Sequence, residues 1–183
     1  MYFDEFGPKN TETTLKLAFE RAVKDGVKHV VIASTTGRTA KRAVELAAGQ
    51  GLQLVFVTHN TGFAKPGEQE FSAEIRREVE AAGARVLTGT ATLRGIGAAI
   101  KARCGSSEEE IVRSTLRMFC QGTKVCLEMA AMVSDAGLVP PGDIIAVAGT
   151  GKGSDTILKI HAQPSNQFFD MKVREVIAKP RNF

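Results

Sequence analysis

Residues 29–51 read HVVIASTTGRTAKRAVELAAGQG, and this stretch decides the fold. His29–Ser34 is an apolar, β-branched run of strand length, with no polar alternation. Such a run marks a parallel strand buried on both faces. A turn of small polar residues follows, Thr35 to Thr39. Ala40, Ala43, Val44 and Ala47 then recur at helical spacing until Gly49 and Gly51 close the element. Strand, tight polar turn and amphipathic helix together form one half of a β-α-β crossover.

The same unit repeats outward in both directions. Upstream, Asn10 or Thr11 can cap a helix with Glu12 in its first turn, an apolar stripe at Leu15, Ala18, Phe19 and Ala22, and a stop at Gly26. Downstream, LQLVFVT (52–58) reads as a strand and 59–70 as a polar Gly/Pro loop. Phe71, Ile75, Val79 and Ala82 mark a third helix, and ARVLTG (84–89) a third strand. Residues 90–105 read as a loop followed by one or two helical turns. Ser106 with Glu109, or Ser107 with Glu110, offers a capping box. It opens one long helix bearing Val112, Leu116, Phe119, Cys126, Ala130 and Val133, with Gly122 inside it. Pro140, Pro141 and Gly142 stop that helix. DIIAVAG (143–149) is a fourth strand, and TILKIHA (156–162) and VREVIA (173–178) read as strands at the sheet edge.

This order predicts an α/β fold: three layers, with a mostly parallel sheet of about five strands between helices and antiparallel strands at the edge. No linker divides the chain, so residues 1–183 read as a single domain. With 43% hydrophobic and 24% charged residues, dominant disorder is excluded. The apolar runs fall short of the roughly 20 residues a spanning helix needs, and Met1–Asn10 has no secretory h-region. Three cysteines (Cys104, Cys120, Cys126) without C-x-x-C spacing predict free thiols in a reducing cytoplasm. A dispersed charge of +4, no Trp and one Tyr argue against a nucleic-acid partner. Neither the His nor the Cys residues show metal-ligand spacing.

In open α/β sheets ligands bind beyond the carboxyl ends of the strands. Two turns there are chemically loaded. Ser34, Thr35, Thr36, Gly37, Arg38 and Thr39 combine four hydroxyls, a glycine and a helix N-terminus, which suits a phosphate. One hydroxyl suffices for an ordinary cap. Gly149, Thr150, Gly151, Lys152, Gly153, Ser154, Asp155 and Thr156 can form an anion nest or a flexible turn. The second turn is not a P-loop, because Gly153 follows Lys152 where Ser or Thr is required. His59, Asn60 and Thr61 follow the second strand and can wall a ligand; His59 can also serve acid–base chemistry. Phe168 and Phe169 are core residues or a wall for a flat ligand.

VVIASTTGRTAKRAVELA resembles the opening of the C-terminal domain of pyruvate kinases, where a strand runs into a Thr-x-Ser-Gly-Arg-Ser/Thr-Ala turn. Ser34, Thr36, Gly37, Arg38, Thr39 and Ala40 stand in those places. PPGDIIAVAGTGKGSDTILKI is similar to a later segment of the same domain, and the likeness covers roughly residues 10–162. In regulated pyruvate kinases these loops hold a sugar bisphosphate, so the resemblance implies a phosphorylated ligand on both turns. It does not imply kinase activity, which belongs to a barrel domain that 183 residues leave no room for. Thr150 replaces the effector loop's bulky aromatic. Through NTETTLKLAFERA, VTHNTGF and the FFD tail, the chain resembles stand-alone microbial proteins with this domain, for which flavin mononucleotide (FMN) is a candidate ligand. Phe63, Phe168, Phe169 or a Met would then stack on the ring. The other reading is an enzyme, acting on a phosphorylated metabolite or using flavin for redox work, with His59 and Lys152 as candidate groups. Because the corresponding domain of pyruvate kinases contributes to subunit contacts, a homo-oligomer is a further partner that the resemblance implies.

Overall fold

The run His29–Ala33 forms strand β2, whose core residues are inaccessible to solvent on both faces. The computed structural model describes residues Met1–Phe183. Helix α1 (Thr11–Lys24) precedes β2 and α2 (Arg38–Ala47) follows it. Then come β3 (Gln53–Thr58), α3 (Ala73–Ala81), β4 (Arg85–Thr88), α4 (Gly95–Cys104), α5 (Glu108–Arg117), α6 (Gln121–Asp135), β5 (Gly142–Ala148), β6 (Thr156–Ala162) and β7 (Lys172–Asn182), with β1 (Tyr2–Glu5) at the start. The strands form one sheet in the order β1-β7-β6-β5-β2-β3-β4.

Pleating divides the core. Val30 and Ile32 project to one face, where they meet Leu15 and Phe19 of α1 and Ala40 and Ala43 of α2. Val31 projects to the other and packs with Cys126, Met129, Ala130 and Val133 of α6. Period-2 alternation of buried residues on both faces is what a covered parallel sheet requires. Parallel pairing of β2 with β3 and β5, and of β3 with β4, brings four carboxyl ends to one edge.

Four expectations need correction. The sheet has seven strands, not about five. Tyr2–Glu5 is four residues long and largely exposed, too short for a periodic pattern to betray it; it is a strand because it pairs in parallel with β7. Neither β6 nor β7 lies at the edge: β6 is antiparallel to β5 and β7 on either side of it, and β7 lies between β6 and β1. The long helix is broken in two at Cys120, which is extended (φ 159°, ψ 168°) and whose thiol accepts from the Thr123 amide. Gly122 therefore lies in the first turn of α6, where a Cβ would overlap the Thr156 side chain of β6. Residues 95–104 make a full helix. No helix is long and apolar enough to cross a membrane, and all three cysteines are free thiols.

Candidate functional site

The carboxyl ends of β2 and β5 open into a crevice of about 690 Å³. Its walls include Ser34, Thr35, Thr36, Arg38 and Thr39 from the first turn and Gly149, Gly151, Lys152 and Gly153 from the second. The two loaded turns, over a hundred residues apart in sequence, thus face one space.

In the first turn Gly37 adopts φ 96°, a conformation that favours glycine. A Cβ there would sit 2.8 Å from Ile75 of α3, so the glycine serves close packing of α2 on α3. The hydroxyls divide their work. Ser34 is buried and its Oγ accepts from the Ala40 amide at 3.3 Å, which caps the helix. The hydroxyls of Thr35, Thr36 and Thr39 have no protein partner, and neither do the amides of Thr36, Gly37, Arg38 and Thr39. Unpaired amides with the positive end of a helix dipole attract anions.

The second turn is organised by one of its own residues, acting from beneath the loop. Asp155 is fully buried. Its carboxylate accepts from the amides of Gly7 (3.1 Å) and Thr150 (3.0 Å) and from the Thr156 hydroxyl (2.8 Å). Ser154 and Thr156 are also buried and lie beneath the loop rather than along the crevice. The Ser154 amide donates to Thr11 Oγ1 at 3.0 Å, and the Thr14 hydroxyl donates to the Ser154 carbonyl at 3.1 Å. Thr150 does not line the crevice. Lys152 and the flanking glycines are what the loop presents to it.

Arg42 also lines the crevice, but its guanidinium grips Glu12 through two bonds of 2.7 and 2.6 Å and reaches Glu45. That contact pushes the Glu12 carboxyl down to about 2. Arg38 and Lys152, which also line the crevice, form no ion pair. Gln121, at the N-terminus of α6, accepts from Arg117 Nε at 2.8 Å through its Oε1, leaving its NH₂ group unused.

At the β3 end His59 has a partner that spacing could not reveal. Its Nδ1 lies 2.7 Å from a Glu70 carboxylate oxygen, and both residues line the crevice. The imidazole stacks on Phe63 with centroids 3.8 Å apart, and the Arg94 guanidinium lies 3.9 Å over the same ring. Two groups that close must cover opposite faces, so Phe63 has no face left for a ligand ring. Asn60 and Thr61 do not reach the crevice; the Asn60 amide bonds to the Thr61 carbonyl in the loop. Phe168 and Phe169 do not wall it either. They line a separate cavity of about 770 Å³ with Leu87, Leu93, Val112 and Met132, because the chain after β6 passes over α6 on the opposite layer. Glu70 and Gln121 carried no sequence signal beyond their positions in or beside loops.

A family model described as pyruvate kinase, alpha/beta domain, matches residues 12–161. Among solved structures the chain is similar to Cryptosporidium parvum pyruvate kinase in complex with ADP, at 19% identity and a TM-score of 0.44, over 81% of this chain and 23% of that one. It is also similar to O-ureido-L-serine synthase, at 17% identity and a TM-score of 0.31, over 74% of this chain and 50% of that one. The chain thus spans about a quarter of the kinase's length and half of the synthase's.

Proposed function

The chain belongs to the pyruvate kinase alpha/beta domain family, and on that footing we propose that its crevice binds a phosphorylated small molecule, with FMN as the first candidate. One observation carries this reading. Unpaired amides, three partnerless threonine hydroxyls and two unpaired cations, Arg38 and Lys152, border a single crevice of about 690 Å³. That volume lies in the range of small-molecule sites, roughly 300–1,000 Å³. The phosphate belongs at the N-terminus of α2, where dipole, amides and hydroxyls act together. A flavin ring would meet His59 rather than a phenylalanine, since Phe63 is covered on both faces and Phe168 and Phe169 line another cavity. Flavin, when bound, supplies hydride and one-electron chemistry.

Calorimetric titration with FMN and with inorganic phosphate tests the reading. Hydrogen bonds to a charged group are worth about 1.5–3 kcal/mol, and 1.4 kcal/mol is a factor of ten. Thr36→Ala should therefore weaken FMN binding about tenfold or more and leave stability nearly unchanged, because Thr36 caps nothing. Ser34→Ala should do the reverse, lowering stability by about 0.5–2 kcal/mol. Absence of binding to both probes, or full affinity in Thr36→Ala, refutes the proposal.

A further inference from the structure

We infer that His59, held by Glu70, is a proton-transfer residue acting on a phosphorylated compound that carries a C–H bond beside a carbonyl. This rests on the phosphate site proposed above, with a phosphorylated metabolite in place of FMN as its occupant, and names what happens at its other end. Ionised, the Glu70 carboxylate can only accept, so the 2.7 Å contact fixes the imidazole proton on Nδ1. In the neutral ring Nε2 then carries the lone pair, and it has no protein partner. The ring is braced against Phe63, whose far face Arg94 covers, and the His59 carbonyl is held by the Thr58 hydroxyl at 2.7 Å and by Gln69 at 3.1 Å. A base oriented by a carboxylate, with its ring immobilised, is the arrangement that general base catalysis uses.

The crevice also holds more anion-stabilising groups than one phosphate needs. The α2 amides and threonines make one set. Lys152 and the free NH₂ of Gln121, which line the same crevice, are available as another. The second set suits the negative charge that develops on a carbonyl oxygen during enolisation. In that step Nε2 takes the proton from carbon, and the C–H electron pair forms the C=C bond. The carbonyl π pair moves to oxygen and gives an enolate. The imidazolium, stabilised by Glu70, then returns the proton to the substrate. Nothing is consumed, so no co-reactant is needed.

The test uses the full chain in D₂O with dihydroxyacetone phosphate and fructose 6-phosphate as probes. Loss of the carbon-bound proton signal is followed by NMR, and binding of inorganic phosphate is measured in parallel. The wild type should speed exchange of at least one probe. His59→Gln should slow that exchange about 100-fold or more and leave phosphate binding within a factor of about two. Glu70 is a positioning residue, so Glu70→Gln should slow exchange less and also spare phosphate binding, a split that a purely structural role would not produce. If the probes bind without exchange, or His59→Gln exchanges as fast as wild type, the inference is overturned and the phosphate site stands. If neither probe nor phosphate binds, both fall.

Discussion

Replacing Asp155 by Ala should cost this protein more stability than removal of any hydroxyl around the crevice. The carboxylate is fully buried and has no Lys, Arg or His partner; its charge is balanced by three donors, the amides of Gly7 and Thr150 and the hydroxyl of Thr156. Hydrogen bonds to a charged group contribute about 1.5–3 kcal/mol each, which sums to about 4.5–9 kcal/mol for three. Burying the carboxylate itself costs several kcal/mol, which the truncation recovers. The net loss for Asp155→Ala is then about 3–5 kcal/mol, a shift in Tm of roughly 6–20 °C at about 2–4 °C per kcal/mol for a chain of this size. Asp155→Asn discriminates further. Its carbonyl can keep both amides, which share one oxygen in the wild type, while the Thr156 hydroxyl turns round to accept from the new NH₂. That variant should lose only about 1–2 kcal/mol. Urea unfolding followed by circular dichroism reads both. A loss under about 1 kcal/mol for Asp155→Ala would show that the loop does not depend on its buried carboxylate.

Two further outcomes follow from charge and burial. Glu12 is held at about 2 by Arg42, and Asp25, Glu110 and Glu175 are held below the ordinary carboxylate range by Lys159, Lys101 and Arg21. Their unfolded forms take up protons first, so the stability these pairs contribute is present above about pH 4.5 and drains as pH falls toward about 2. Added salt should flatten that slope, since the Glu12 and Glu175 pairs are exposed; stability independent of pH between 5 and 2.5 would contradict it. Cys104 is exposed, whereas Cys120 and Cys126 are buried and burial pushes the Cys126 thiol well up. An aromatic disulfide reagent should titrate one thiol quickly in the native protein and three after denaturation. Fast reaction of more than one would place α6 differently against β6.

The α/β alternation was legible because burial writes itself into sequence as period. His29–Ala33 and Gln53–Thr58 are apolar on both faces because helices cover both sides of the sheet, and Ala40, Ala43 and Ala47 mark the stripe that faces it. Residues that pair without burying much left no such trace. Tyr2–Glu5 is a strand only because β7 offers a ladder. The break at Cys120 has no proline, and the nearby glycine is explained by Thr156 from a strand more than thirty residues away.

The candidate site divides the same way. Sequence alone determined that two hydroxyl- and glycine-rich turns end parallel strands, since local composition and strand ends are one-dimensional facts. It also determined the family likeness, which the match over residues 12–161 bears out. Only the tertiary structure decided which hydroxyl caps the helix, that Asp155 braces the second turn, that His59 meets Glu70 across a loop, and that Phe168 and Phe169 line a different cavity. The physical reason is that a hydrogen bond or a packed ring depends on where side chains converge in space. Side chains eleven or more residues apart in a loop converge only after the sheet has set the positions of the loop's ends.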